Sequence, residues 1–423
     1  MGQDFIIGCV GKPSAGKSTF FNASCEKGDA KVGNFPFTTI DPNQGVAAFT
    51  TKCPCKKFNV KCRPRYGTCT NGIRRVPVKM LDVAGLIPGA SEGLGLGNKF
   101  LDDLRQADVL LHILDISGTT NEKGEATSGY DPSGDHRWLL LEIELWIFNN
   151  LWTKWGTISR RHTATNSTVA DTLTAQLSGY GAKPALVQSV VDALGLKDPV
   201  PLGEWEKEQV QRLVKEFIRQ RFPIILVLNK ADSGGETDKN VVKMLEETED
   251  PTRVVLCSAL AECFLRKMRK QKFILYEDGG ADFWKKKEAE EEKMEEASSL
   301  QEPDEKLDGR LDKIRDMVLF RYGSTGVQSA VNRAVDTLGL LAVYPVRNIA
   351  HFGGDRNGEG AFPECVLVRP GTTVRGLAKI LHEDIEKHFL YAEGADGRRL
   401  GEDEVLTEAT NVIRFVTDRK ELE

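Results

Sequence analysis

Residues 11–18 read Gly-Lys-Pro-Ser-Ala-Gly-Lys-Ser. This G-x-x-x-x-G-K-[ST] spacing constrains the chain more than any other feature. An apolar run over residues 5–10 predicts a strand leading into it, and a helical pattern starts at Lys17. Gly11 and Gly16 let the backbone turn so that its N–H groups face a polyphosphate. Lys17 reaches the β- and γ-phosphates, the Ser18 hydroxyl ligates Mg²⁺, and the helix N-terminus adds a favourable dipole. The expected result is a nucleoside triphosphate site lined by Gly11, Lys12, Pro13, Ser14, Ala15, Gly16, Lys17, Ser18 and Thr19.

The segments downstream fit a nucleotide switch. Residues 33–43 form a Gly- and Pro-containing loop with two hydroxyls at its centre. A loop threonine closes over the γ-phosphate by ligating Mg²⁺; Thr39 is the candidate and Thr38 the alternative. A predicted strand over residues 76–81 ends in Asp82-Val83-Ala84-Gly85. Asp82 is expected to hold Mg²⁺ through its water shell and the Gly85 N–H to meet the γ-phosphate. Lys17, Thr39 and Gly85 are thus the candidate catalytic residues, and Ser18, Thr39 and Asp82 the candidate metal ligands. Gly85, Gly89, Gly93, Gly95 and Gly97 then make a loop with little intrinsic order, suited to ordering by phosphate contacts.

A strand over residues 224–228 leads into Asn229-Lys230-Ala231-Asp232. The Asp232 carboxylate can accept hydrogen bonds from N1–H and N2–H₂ of guanine, whereas adenine leaves it unpaired. The next strand ends at Ser258 and Ala259, where a backbone N–H is placed for the guanine O6. Five such elements in order, each at a strand end, predict a doubly wound α/β sheet with its ligand at the carboxyl edge.

Composition narrows the class further. Hydrophobic content of 40% and charged content of 28% are ordinary for a soluble globular protein, and no apolar run reaches the roughly 20 residues of a membrane helix. Residues 5–10 are needed as the first strand, which argues against a signal peptide. Ile6 stands where a myristoylation motif takes Ser or Thr. Nine cysteines, two of them (Cys9 and Cys257) in predicted core strands, argue for reduced thiols in the cytoplasm. A net charge of −5 confines any nucleic-acid contact to a local patch.

Together these motifs resemble the Obg superfamily of P-loop GTPases, most closely the Obg-like, YchF-related group. The resemblance rests on residues 11–18, on Phe35-Pro-Phe-Thr-Thr39 with Pro42-Asn43, on 82–86 with Gly-Leu-Gly-Asn98, and on 229–232. Residues 366–374, a following amphipathic helix, Gly397-Arg398 and a closing strand near 412–416 resemble the group's C-terminal TGS module. The implied architecture is a P-loop NTPase G domain with an inserted helical subdomain and a C-terminal β-grasp (TGS) domain. The expected boundaries are 1–135 for the first part of the G domain, with a basic Cys-containing insert at 52–75, 136–222 for the helical insertion, 223–341 for the second part with a helical bridge, and 342–423 for the TGS-like domain. Relatives of the group often carry asparagine where Ser14 stands, a residue linked to potassium-assisted hydrolysis, so Ser14 puts potassium dependence in question. YchF proteins often accept ATP, but Asp232 favours GTP here. Leu86 replaces the glutamine that orients water in Ras-like enzymes, so slow hydrolysis is expected.

Between Asp41 and Asp82 there are nine cations (Lys52, Lys56, Lys57, Lys61, Arg63, Arg65, Arg74, Arg75, Lys79) and no acidic residue. The same segment holds Cys53, Cys55, Cys62 and Cys69, either a Zn²⁺ site or free thiols on a surface loop. Its charge suits ribosomal RNA phosphates or a solvated face. In the helical insertion, Trp138, Trp146, Trp152 and Trp155 are expected in the core. The lysine- and glutamate-rich run over residues 285–296 is expected to be an exposed helix. From residue 342 on, cations are in no excess; the ribosomal contacts expected of the TGS-like domain are implied by resemblance alone. The leading expectation is a slow Mg²⁺-dependent GTPase that binds GTP and GDP and acts as a ribosome-associated switch in the cytoplasm. An ATPase of the YchF type and an adaptor that uses nucleotide structurally are the alternatives.

Overall fold

The computed structural model describes residues 5–25, 43–83, 97–353 and 359–419. In chain order, β1 (Ile6–Val10) leads through a loop into α1 (Lys17–Ser24), followed by β2 (Gln44–Lys52), β3 (Lys61–Cys62), β4 (Thr68–Thr70) and β5 (Ile73–Asp82). Next come α2 (Gly97–Leu104), β6 (Val109–Asp115) and five helices: α3 (Ser133–Trp152), α4 (Trp155–Thr165), α5 (Val169–Leu177), α6 (Pro184–Ala193) and α7 (Lys207–Arg221). The chain continues through β7 (Ile224–Asn229), α8 (Thr237–Glu247), β8 (Val254–Leu256), α9 (Ala259–Lys270), β9 (Ile274–Tyr276), β10 (Phe283–Lys285), α10 (Lys286–Glu291), α11 (Glu305–Ile314) and α12 (Val327–Thr337). It closes with β11 (Leu341–Pro345), β12 (Glu359–Ala361), β13 (Val366–Val368), α13 (Val374–Leu381), α14 (Glu383–Lys387), β14 (Phe389–Gly394), β15 (Arg399–Leu400) and β16 (Val412–Thr417). Among the described residues no helix is long and apolar enough to cross a membrane.

Two compact units result, one of Ile6–Ala23 and Leu81–Ala330, the other of Met1–Phe5, Ser24–Met80 and Val331–Glu423. In the first, β1, β6, β7 and β8 run parallel in that order. All seven residues of β6 are buried, which is what a parallel strand covered on both faces requires. Segments at 11–16, 83, 230–232 and 258 therefore leave the carboxyl edge, where open α/β sheets bind ligands. Helices α3 to α7 pack on a core that includes Ile143, Ile147, Leu173, Val187, Leu213 and Phe217. Trp155 is buried, stacks on Trp205 at 5.7 Å and donates its indole N–H to the Leu202 carbonyl. Trp138, Trp146 and Trp152 are partly buried against the same core. Helix α5 is capped by the Thr168 hydroxyl.

The charge run at 285–296 is not one exposed helix. Only residues 286–291 are α-helical. Lys285 reaches Asp308 and Asp312 at 2.6 Å each, while Arg315 pairs with Asp282 and Glu288 and lies 4.2 Å over the Phe283 ring. Within the run, Lys285 and Glu288 are engaged by α11 and the turn after it, while Glu290, Glu291, Glu292, Lys293, Glu295 and Glu296 stay exposed.

In the second unit β13, β11, β16, β14 and β15 form a five-stranded sheet whose only parallel pair is β11–β16. Val374, Leu377 and Ala378 of α13 join Val343, Val368 and Ile413 in its core. The basic segment belongs to this unit. Strand β3 pairs with β12, and Arg74, 1% exposed, donates to the Phe362 and Pro363 carbonyls at 2.9 and 3.2 Å. The Tyr344 hydroxyl bonds to the Lys52 carbonyl, and Asn332 bonds to Thr50. Residues 24–80 and 331–423 thus share one compact unit.

Beneath the first unit's sheet edge, His112 and His136 face one another with Nδ1 atoms 3.4 Å apart. Burial, then the His136 and Lys12 charges, hold His112 well below its usual value; burial, then Arg137, lowers His136. Both rings bind fewer protons folded than unfolded, so stability is full above the ordinary value near 6.5 and is lost as pH falls below it. The melting temperature is expected to drop from pH 7.5 to pH 5.5, and His112→Asn is expected to flatten that drop.

Candidate functional site

The phosphate loop is shaped by close packing. Ser14 and Gly16 both take positive φ, 63° and 91°. A Cβ on Gly11 would lie 2.6 Å from the Ile113 carbonyl oxygen, so only glycine lets the loop pass over β6. Ser14 and Ser18 are exposed at the loop face. Lys17, from the first turn of α1, donates to the carboxylate of Asp82 at the end of β5. The cation expected at the phosphates and the carboxylate expected at the metal thus face one point, and Val83 is fixed there by its N–H to the Cys9 carbonyl.

Lys12 is a correction. Its side chain points into the protein and not toward a phosphate. It is 2% exposed, donates to the Thr120 carbonyl at 2.7 Å, pairs with Asp135 at 2.9 Å and lies over the Tyr130 ring. Only its main chain remains for a nucleotide. Pro13 is packed from the other side by the turn at Gly124, where a Cβ would come 2.5 Å from the Pro13 carbonyl oxygen. The loop is thereby pinned to residues 118–135, a segment with no recognisable sequence signal.

Asn229 is 3% exposed and does not project toward a base. Its Nδ2 donates to the Ala15 carbonyl at 3.0 Å and its Oδ1 accepts from the Ala259 N–H at 3.1 Å. One side chain therefore ties the phosphate loop to the 258–260 turn. Lys230, at φ 62°, pairs with buried Asp115 at 2.7 Å. Burial would raise the Asp115 carboxyl, but bonds from Lys230, Ser117 and Thr120 hold it below the usual carboxylate range. Asp232 is left half-exposed beyond this pinned base, close to Tyr322, whose hydroxyl bonds to the Ala231 carbonyl.

The donors expected at Ser258 and Ala259 are already engaged. The Ser258 N–H goes to the Thr325 carbonyl, its hydroxyl caps the Ala261 N–H, and the Ala259 N–H goes to Asn229. Leu260, 72% exposed, is the second residue of α9, where a helix amide has no intrahelical acceptor. Thr19 is half-buried in α1, its carbonyl accepting from the Cys263 thiol. Thr38, Thr39, Gly85 and Leu86 lie outside the described residues. In the other unit, Cys53, Cys55, Cys62 and Cys69 do converge, every Sγ lying within 4.8 Å of the others.

Residues 6–141 match the family described as 50S ribosome-binding GTPase, and residues 227–348 match the Obg-like GTPase YGR210-like, G4 motif-containing domain. An uncharacterized GTP-binding protein of Schizosaccharomyces pombe is 44% identical over 98% of both chains. The ribosome-binding ATPase YchF of Bacillus subtilis is 30% identical over 60% of this chain and 65% of its own. Among solved structures, a GTP-binding protein from Pyrococcus horikoshii superposes with a TM-score of 0.72 at 31% identity, covering 98% of this chain and 100% of its own. With full-length similarity at this level, the chain belongs to the Obg-like, YchF-type family of P-loop GTPases.

Proposed function

We propose that the chain binds GTP and hydrolyses it slowly with Mg²⁺, as a molecular switch in ribosome- or translation-associated processes of the cytoplasm. One observation carries the guanine reading: Asn229 and Lys230 are locked into the protein, which leaves Asp232 as the residue of the quartet free to accept from a base. A carboxylate selects N1–H and N2–H₂ together and finds no such pair on adenine.

Lys17 supplies charge to the phosphates. The oxygen donors Ser18 and Asp82 suit a hard divalent cation, and with Thr39 they would hold Mg²⁺. When bound, Mg²⁺ neutralises charge on the phosphate oxygens. Water attacks the γ-phosphorus as the bond to the bridging oxygen breaks; these residues position and stabilise charge, and none serves as a general base. The absence of glutamine at position 86 supports a slow rate without a partner. Ribosome association is supported by the matched family's description and by YchF's printed name, with the basic segment and the C-terminal TGS-like sheet as the contacting surfaces. YchF's description as an ATPase makes ATP the competing substrate.

Binding of labelled GTP and ATP separates the two: GTP is expected to bind at least tenfold more tightly, and equal or reversed affinities would overturn the guanine assignment. Asp232→Ala is expected to weaken GTP by about 10–100-fold, from loss of charged hydrogen bonds, and to leave ATP unchanged. Asn229→Ala is expected to weaken GTP and ATP alike by about 10-fold or more, because the Ala15 carbonyl and Ala259 amide lose their common partner. Co-sedimentation with ribosomal subunits in GTP, a non-hydrolysable analogue and GDP tests the partner; failure in all three states would sink it.

A further inference from the structure

Four thiols meet within the basic segment. Cys53 follows β2, Cys55 lies in a 3₁₀ turn over Pro54–Lys56, Cys62 ends β3 and Cys69 is the middle residue of β4. The Cys53–Cys62 sulfurs are 3.5 Å apart, the Cys55–Cys69 sulfurs 3.8 Å, and no pair exceeds 4.8 Å. A tetrahedron with Zn–S of about 2.3 Å sets its sulfurs about 3.8 Å apart. Disulfide sulfurs sit about 2.05 Å apart, and two disulfides would sort the four into separate pairs. Here all four share one centre. Cys53 and Cys55 are 5% and 6% exposed.

Arg74 supplies a second observation. Its buried guanidinium donates from Nη1 to the Cys62 sulfur at 3.4 Å, and its other described partners are neutral carbonyls. A buried cation needs an anion. Among the described residues no carboxylate pairs with it, and none occurs in the sequence from 42 to 81. Four thiolates around a divalent ion carry two net negative charges, which Arg74 offsets in part.

We propose that Cys53, Cys55, Cys62 and Cys69 hold a structural Zn²⁺, with Arg74 linking the metal to the segment at 359–363. Four protein ligands leave no open position, so the site is structural and not catalytic. The link is concrete. Residues 61 and 62 pair with 359 and 361, the Arg63 and Arg65 N–H groups reach the Ala361 and Pro363 carbonyls at 3.0 and 2.8 Å, and Phe352 stacks on Phe362 and meets the Phe58 ring at a tilt. Strands of two and three residues do not hold together alone; the metal fixes one of them and Arg74 transmits that order to the other. The other eight cations of the segment are then carried on a metal-tied scaffold.

Elemental analysis of the full-length protein is expected to give one zinc per chain, and Co²⁺ exchange the visible absorption of a tetrahedral cobalt thiolate. Arg74→Met is expected to lower zinc affinity about 10–100-fold in chelator competition, with GTP binding unchanged. Unaltered zinc affinity would remove Arg74 from the site. The Cys55→Ser, Cys69→Ser double variant is expected to lose the metal; if it does not fold, the wild-type metal content and cobalt spectrum decide. Metal-free wild type with four alkylatable thiols, or with these cysteines in disulfides by mass spectrometry, overturns the site, and iron in place of zinc overturns the metal. GTP binding by the same samples is read separately, so failure here leaves the nucleotide reading standing.

Discussion

Asn229 has both ends of its carboxamide inside the protein, one on the Ala15 carbonyl and one on the Ala259 amide. Most buried polar groups find one partner each; this one satisfies two main-chain groups on loops far apart in sequence. The spacing between the phosphate loop and the turn after β8 therefore follows from the length of an asparagine side chain. In the proposed site these are the two loops that would meet the phosphates and the base of a nucleotide.

Two ion pairs flank that clasp, Lys12–Asp135 fully buried and Lys230–Asp115 with its lysine 31% exposed. Lys12–Asp135 fixes the phosphate loop from beneath, and Lys230–Asp115 fixes the base loop. Buried pairs are weak stabilisers because desolvation offsets most of the attraction, but leaving one partner alone costs about 3–5 kcal/mol. Their contribution here is positional: each lysine has one conformation that satisfies its charge, and each sits within the loop it holds. The Asp115 carboxylate adds Ser117 and Thr120 to the same anchor. Loops at a parallel sheet's edge carry few backbone ladders of their own, and these side chains stand in for them.

How much of this was legible depended on how local each signal is. The strand–loop–helix at 6–24, the acidic strand end at Asp82 and the quartet at 229–232 are short spacings with a chemical purpose, and the structure pairs Lys17 with Asp82. Lys12 was not legible, since the direction of a loop side chain depends on Asp135, more than a hundred residues on. At 258–260 two of the three amides go to remote partners, Thr325 and Asn229, which no local spacing shows. The β3–β12 pairing involves runs too short to show alternation. The cysteines were visible as residues but their spacing followed no standard pattern, so their convergence waited on three dimensions.

Residues 24–80 share a compact unit with residues 331–423, and Arg74 waits for a carbonyl 288 residues later. At ordinary elongation rates that separation corresponds to about 15–60 s of synthesis. During that interval a segment with nine cations and no acidic residue emerges beside the ribosome that is making it, with its strand partner not yet translated. The split unit is thus completed only after the residues of the other unit, which lie between its two parts in the chain, have been made.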